Sequence, residues 1–279
     1  MNKTDILSNQ NNDNLFKERP KDIEEYIKWF SSNIQEYDSC KSERYYQSVM
    51  NSVEKQFISS KFWNELITKW DSFNQEYYTK TGFNLFAEKL EKVYIKPYQS
   101  MLDKTYRKNV VLNQEWPNKP LSNWIYPQEP FENLNDLLRT TIIVKYLDGA
   151  EFILEKLREL SKINNYDFRS DYEAKDKGYY AIHAYIKPEF EVEDIDWDSR
   201  KLKISIEIQI TTQIQDTIKK LTHEYYNKHR SKVSNNELAW QWDYKSDDFA
   251  LNYMGHILHY LEGMIMEIRG RKGDKNEEL

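Results

Sequence analysis

Apolar residues fall at helical spacing from Asp22 onward, with Ile23, Tyr26, Ile27 and Phe30 at i, i+3, i+4 and i+7. The same period continues through 45–57 and 62–77. After a break at 81–84 (TGFN), a further helical pattern runs through Phe86, Leu90 and Val93 toward Tyr94. These segments predict a helical region over 21–91, preceded by an Asn-rich polar stretch at 1–20 that reads as a disordered tail. Segment 113–130 (NQEWPNKPLSNWIYPQEP) holds four prolines, which exclude a continuous helix or a central strand. It reads as an ordered loop anchored by Trp116 and Trp124.

The period then changes. TTIIVKYL at 140–147 is a β-branched run suited to a buried strand, followed by a helix over 150–160 with Phe152, Ile153, Leu157 and Leu160 on one side. A second strand is expected over 181–186. The clearest alternation is LKISIEIQI at 202–210, where Leu202, Ile204, Ile206, Ile208 and Ile210 face one way. Lys203, Ser205, Glu207 and Gln209 face the other way. One apolar face implies helices on that side of the sheet, with Glu207 and Gln209 directed outward from the opposite face about 7 Å apart. The acidic stretch 189–199 reads as a hairpin connection. Helical period returns over 213–229, and Met254, Ile257, Leu258, Leu261, Ile265 and Ile268 form a stripe in the last element. Strands between helical blocks predict an α+β architecture around a mixed sheet, with helical regions at both ends.

Composition narrows the function classes. The 279 residues suffice for one large domain or two small ones, and a formal net charge of −6 gives no general attraction to nucleic acid or anionic lipid. Aromatics reach 15%, with 21 Tyr and 8 Trp, residues that fill cores but also make stacking platforms for bases. The single cysteine, Cys40, cannot form an intrachain disulfide, and no apolar run resembles a signal peptide or membrane span, so a cytoplasmic location is expected. Neither a Walker A sequence nor G-x-G-x-x-G follows a strand, and G-x-S-x-G and His-Asp are absent. His256 and His259, at i, i+3, lack a third ligand nearby in sequence and read as structural.

Three patterns remain. Lys96, Ser100 and Lys104 recur every four residues, so a helix would stack two amines and a hydroxyl on one face, as a polyphosphate requires. Asp136 opens the first central strand and Glu207 lies within another, and two carboxylates from one sheet can hold Mg²⁺ against phosphates. The stretch 175–186, KDKGYYAIHAYI, sets lysines around Gly178 and places His183 in an otherwise apolar strand. Taken one at a time, these are equally readable as a solvated lysine face, unrelated surface acids and a core histidine.

In order, the pieces resemble the synthetase domain of RelA/SpoT-type alarmone synthetases, the makers of (p)ppGpp. That family carries Lys-x₃-Ser-x₃-Lys, a strand-opening Asp, a Lys-x₃-Tyr element of the form GYxSIH, and EIQIRT. Here they correspond to Lys96/Ser100/Lys104, Asp136, KDKGYYAIH and EIQITT, and HEYYNK from His223 resembles the family's closing H-x-x-x-Y-K. The resemblance implies a nucleotidyltransferase-like sheet in a core over 92–230 and a C-terminal helical region over 231–279. By resemblance, Lys96, Ser100, Lys104 and Arg139 would hold ATP, and Asp136 and Glu207 would bind Mg²⁺ and act as the catalytic carboxylates. Lys175, Tyr179, His183 and Gln209 would hold the acceptor. The implied reaction moves the β,γ-pyrophosphate of ATP to the 3′-hydroxyl of GDP or GTP. Departures from the family pattern allow two other readings. Tyr94, Thr141, Tyr180 and Thr211 stand where the family keeps arginines, and Ala181 replaces its serine. One alternative is a toxin-type relative that modifies the tRNA 3′ end or adenosine nucleotides and meets a neutralising antitoxin protein. The other is a degenerate nucleotide-binding or partner-binding module.

Overall fold

A computed structural model describes residues 18–193, 198–229 and 240–274, with backbone alone at 223–229 and 271–274. The polar segment at 1–17 therefore lies outside the described residues, as do the side chains of HEYYNK. The chain divides into two compact units interleaved in sequence. The first takes Met1–Gln56, Ile95–Leu138 and Glu189–Ser205, and the second Phe57–Tyr94, Arg139–Pro188 and Ile206–Leu279.

In the first unit, α1 (Ile23–Asn33) starts where the Asp22 side chain accepts a hydrogen bond from the Glu25 amide. It and α2 (Ser39–Ile58) supply the buried Tyr26, Phe30, Tyr46, Val49, Met50 and Val53. Helix α5 (Tyr98–Tyr106) continues into a π-helical turn, Arg107–Val111. The Pro/Trp-rich segment is ordered, as its anchoring tryptophans suggest. Trp116 and Trp124 pack against Trp29 at ring separations of 4.5 and 5.5 Å. Asn109, wholly buried, donates to the Tyr26 hydroxyl and the Ile125 carbonyl, and accepts from the Ile125 amide.

The second unit carries α3 (Lys61–Thr68), α4 (Trp70–Thr81), α6 (Leu147–Ile163), α7 (Gln213–His229) and α8 (Asp247–Asp274). A mixed five-stranded sheet runs in the order β1-β2-β7-β4-β3, formed by β1 (Tyr94–Ile95), β2 (Leu138–Val144), β3 (Asp167–Ala174), β4 (Tyr180–Lys187) and β7 (Ile206–Thr212). Strand β4 is antiparallel to both β3 and β7. Register sets Ile182 against Ile210, Ala184 against Ile208 and Ile186 against Ile206, so the apolar face is continuous across two strands. Helix α6 packs on β7, β4 and β3 and buries Ile153, Leu154, Leu157 and Leu160. The α+β class and mixed sheet expected from the alternating pattern are therefore present.

Five details differ from the sequence reading. The run 202–210 is not one strand. Strand β6 (Ser199–Lys203) pairs with β5 (Glu189–Glu193) in a separate two-stranded sheet of the first unit, and β7 begins at Ile206. The stretch expected as a hairpin connection is therefore strand over Glu189–Glu193 and again from Ser199. Segment 86–94 is not helical. Phe86 forms an isolated antiparallel bridge with Val144 and stacks on Trp70 at 3.6 Å, while backbone bonds tie Ala87 to Ile143 and Lys145 to Leu85. These cross-links satisfy the backbone in extended form and override the local period. The pattern over 62–77 splits at Lys69 into α3 and α4. Strand β3, DFRSDYEA, has no sequence signal because it is an edge strand with mostly solvent-facing polar residues. Finally, the stripe on α8 is largely exposed at Ile257, Leu261, Ile265 and Ile268. The helix packs instead through Asn252, Gly255, His256, His259 and Arg269. Among the described residues no helix is long and apolar enough to cross a membrane.

Candidate functional site

Strand alternation places His183 and Tyr185 of β4 on the face opposite the isoleucines, in register with Gln209 and Glu207 of β7. This face is not outward as expected. His183, Glu207, Gln209 and Thr211 are all buried, and every residue of β7 is buried. Polar side chains tolerate that burial because they satisfy one another. His183 Nδ1 lies 2.8 Å from Glu207 Oε1, and its Nε2 lies 3.2 Å from the Tyr179 hydroxyl. The Tyr185 hydroxyl donates to the same Glu207 oxygen at 3.3 Å. An ionised Glu207 only accepts, so the imidazole proton sits on Nδ1 and Nε2 accepts from Tyr179. Burial, and then the Glu207 charge, push the Tyr179 and Tyr185 hydroxyls well above the usual tyrosine range, so both remain protonated donors.

Tyr179 ends the turn between β3 and β4. The Lys175 amide donates to the Tyr179 carbonyl at 2.9 Å and the Gly178 amide to the Lys175 carbonyl at 2.9 Å. Gly178 has φ +72°, a conformation that favours glycine. The exposed Lys175 ammonium lies 5.2 Å from the Tyr179 ring centre. Four residues named from sequence as the acceptor set, Lys175, Tyr179, His183 and Gln209, thus share one turn and two paired strands. The turn is also fastened to α8. Tyr180 stacks on His259 at 3.7 Å and its hydroxyl lies 2.8 Å from His256 Nδ1, while His256 Nε2 donates to the Asp176 carbonyl at 2.9 Å. Both histidines thus contact the turn through Tyr180, and His256 also through Asp176.

In the first unit, Asp136 receives both lysines of the ladder. Lys96 Nζ is 3.1 Å from Oδ2 and Lys104 Nζ is 2.8 Å from Oδ1. Burial works against the Asp136 charge, but Lys104 and Lys96 outweigh it and hold the carboxyl below its ordinary range. Only Lys104 lies on α5. Lys96 precedes the helix, beyond Pro97, and is positioned by backbone bonds from its amide to Leu137 and from the Tyr46 hydroxyl to its carbonyl. Ser100 is exposed on α5. The helical-ladder expectation is corrected to this extent: two lysines converge on Asp136 from a loop and a helix, because proline starts α5 after Lys96.

Arg139, on β2, lies with its guanidinium 5.0 Å from the centre of the Tyr94 ring. Both line an open cavity of about 610 Å³ with Glu91, Lys92, Thr140, Asp216, Lys219 and Lys220. Lys219, which the sequence reading passed over, donates to Gln209 Oε1 at 2.9 Å. Helical period gave a signal for it, since Gln215, Ile218, Lys219 and Thr222 recur at i, i+3, i+4 and i+7 and turn Lys219 inward while Lys220 faces out. Among the described residues no three acidic, histidine or cysteine side chains form a metal cluster. The two carboxylates that the family resemblance assigns to Mg²⁺ lie one in each unit, Asp136 in the first and Glu207 in the second. The charged state of Asp136 suits the ion.

Residues 94–232 match the family model described as a region found in RelA / SpoT proteins. No curated protein sequence matches. Among solved structures, the small alarmone synthetase 2 from Bacillus subtilis is 20% identical, with 82% of this chain and 97% of that one covered and a TM-score of 0.46. The small alarmone synthetase 1 from Bacillus subtilis bound to its product pppGpp is 18% identical, covering 78% and 93%, with a TM-score of 0.49. A GTP pyrophosphokinase family protein from Streptococcus pneumoniae is 18% identical, covering 87% and 99%, with a TM-score of 0.48. The matched region runs from Tyr94 through the lysine pair, Asp136, the Tyr179 turn and EIQITT into α7, and over residues 94–232 the chain belongs to the RelA/SpoT family.

Proposed function

We propose that this chain transfers the β,γ-pyrophosphate of ATP to the 3′-hydroxyl of GDP or GTP, yielding (p)ppGpp and AMP. The observation that carries this reading is the Tyr179–His183–Glu207 chain, which runs from the turn to a buried histidine and carboxylate within a RelA/SpoT region. Its outer end is an aromatic ring beside a lysine, suited to a purine and its phosphate, and its inner end is a carboxylate suited to a proton. In the reaction the acceptor 3′-oxygen forms a bond to the β-phosphorus of ATP. The bond from that phosphorus to the α,β-bridging oxygen breaks and AMP leaves. Glu207 takes the 3′-hydroxyl proton, with His183 Nδ1–H and the Tyr185 hydroxyl fixing the orientation of its carboxylate.

Lys96 and Lys104, both free to exchange Asp136 for phosphate oxygens, offset the triphosphate charge. Asp136 and Glu207 are the carboxylates that the family resemblance assigns to Mg²⁺, which neutralises charge on the phosphates when bound. Positioning and charge neutralisation suffice for such a transfer without a covalent enzyme intermediate.

The test is incubation of the pure protein with γ-labelled ATP and, separately, GDP, GTP, ATP and bulk tRNA. Label in guanosine tetra- or pentaphosphate is the expected result. Label in tRNA or in an adenosine product instead assigns the toxin-type reaction. No label in any acceptor refutes both and leaves a binding module.

A further inference from the structure

The cavity beside β2 holds more positive charge than the site described above uses. Its lining includes Lys92, Arg139, Lys219 and Lys220 against Glu91 and Asp216, four cations to two anions, in a chain whose net charge is −6. The two acids do not neutralise the inner pair. Asp216 is engaged by Lys220 at 2.6 Å, and among the described residues neither Arg139 nor Lys219 makes an ion pair. The polar partner of Lys219 is the neutral Gln209 carbonyl oxygen, and Arg139 lies over the Tyr94 ring. Two cations therefore line one cavity, and among the described residues neither has a carboxylate within ion-pair distance.

Such an arrangement favours an anionic visitor. Burial, and after it the neighbouring Arg139 charge, hold the Lys219 ammonium below the ordinary lysine range, with Asp216, Glu91 and Glu207 offsetting part of that effect. A purely structural lysine would face water or a carboxylate, as Lys220 does next to it. A phosphate group in this cavity could meet both, since ammonium supplies a point charge and guanidinium a planar fork. The cavity, at about 610 Å³, lies within the ~300–1,000 Å³ usual for ligand sites.

We propose that Lys219 and Arg139 form a phosphate subsite in this cavity, with Lys219 a substrate-contacting residue. The subsite rests on the proposed pyrophosphate transfer for its role, though not for its existence. Through Gln209 it reaches the strand that carries Glu207, so an anion bound there is read by the same strand that faces the acceptor.

The test is calorimetric titration of the full chain with inorganic pyrophosphate, without ATP. Lys219→Met is compared with wild type and with Lys162→Met, an exposed lysine on α6 that removes the same charge elsewhere. Lys219→Met is expected to bind at least about tenfold more weakly, as loss of a charge-assisted hydrogen bond implies. Lys162→Met should bind as wild type does. Arg139→Met provides a second arm with the same expected loss should Lys219→Met not fold. Unchanged binding in a folded Lys219→Met or Arg139→Met variant overturns the subsite, as does failure of the wild type to bind. Lys219-dependent binding without label transfer refutes the proposed reaction and leaves the subsite standing. Label transfer with Lys219-independent binding refutes the subsite alone.

Discussion

Helix α8 carries Gly255, Gly263 and Gly270, and replacing each by alanine should give opposite results at positions eight and fifteen residues apart. An alanine in a helix interior is favoured over glycine by about 0.8–1.0 kcal/mol. At Gly263 and Gly270 an added Cβ meets nothing within 4 Å, so both variants should gain that amount. At Gly255 the same Cβ would lie 2.3 Å from the Gly178 carbonyl oxygen, 2.9 Å from its carbon and 3.0 Å from its Cα. All three are backbone atoms, and none can rotate away as a side chain would. The contact is reciprocal, since a Cβ on Gly178 would lie 2.4 Å from the Asn252 carbonyl oxygen.

Relief at Gly255 requires α8 and the turn at 175–179 to separate, and overpacking of this kind costs about 1–3 kcal/mol. That cost sets Gly255→Ala below Gly263→Ala by about 1–3 kcal/mol, or several degrees in Tm at roughly 2–4 °C per kcal/mol. Thermal denaturation followed by circular dichroism reads the difference directly. The same displacement moves Tyr179, so the KM for the acceptor should rise in Gly255→Ala and stay put in Gly263→Ala. Equal Tm shifts in the two variants would refute the close approach and, with it, the dependence of the turn on α8.

Tyr179→Ala should weaken purine-nucleotide acceptor binding by roughly 5- to 150-fold, the equivalent of about 1–3 kcal/mol of lost stacking, while ATP affinity holds; equilibrium binding decides it. Glu207→Gln keeps the shape but not the base, so transfer should fall by about 10²–10⁴-fold with the fold intact, and wild-type rates in that variant would exclude Glu207 as proton acceptor. Asn109→Ala removes three hydrogen bonds of a wholly buried group and should destabilise the first unit by about 1–3 kcal/mol in urea denaturation. Glu76 bridges Lys156 and Lys80, which hold its carboxyl below the ordinary range. A carboxyl depressed on folding lends stability above its unfolded pKa and loses it as pH falls through the folded value. The small deficit of Glu76→Gln should therefore be constant near neutrality and shrink below about pH 4; a deficit that grows in acid contradicts the assignment.

Much of the second unit was legible because period and burial agree there. The isoleucines of β7 alternate, pair across the ladder with those of β4, and meet the apolar side of α6, so each local pattern points to the same sheet. Legibility ended where long-range contacts decide conformation. Phe86 has a helical neighbourhood in sequence, yet a stack on Trp70 and a bridge to Val144 make it extended. Glu207 and Gln209 read as outward because alternation reports which face a residue takes, not what covers that face. Lys219 could be found only by asking which side of α7 it occupies, as its neighbour Lys220 has the same chemistry and the opposite role. Asp136, Glu207 and the lysine pair were named through motif order, since no single one stands out from ordinary surface charge.

The second tyrosine of the turn makes the least expected use of its position. The family keeps an arginine where this chain has Tyr180, a change that removes a charge and adds a flat ring. That ring lies almost parallel to His259, at 10° and 3.7 Å, and its hydroxyl meets His256 Nδ1 at 2.8 Å. Because His256 Nε2 must donate to the Asp176 carbonyl, Nδ1 is an acceptor and the tyrosine hydroxyl is the donor. Trp240 and Gln241 donate to the Asp176 carboxylate from the other side, so residues beyond the matched region hold the turn that presents Tyr179. Tyr180→Phe keeps the stack and leaves His256 Nδ1 without its donor, a loss of about 1 kcal/mol, whereas Tyr180→Ala loses both contacts. The KM for the acceptor should therefore rise in the order wild type, Phe, Ala, with the KM for ATP unchanged. A Tyr180→Ala enzyme with wild-type acceptor KM would show that the turn keeps its shape without α8, and the glycine contact would then be packing alone.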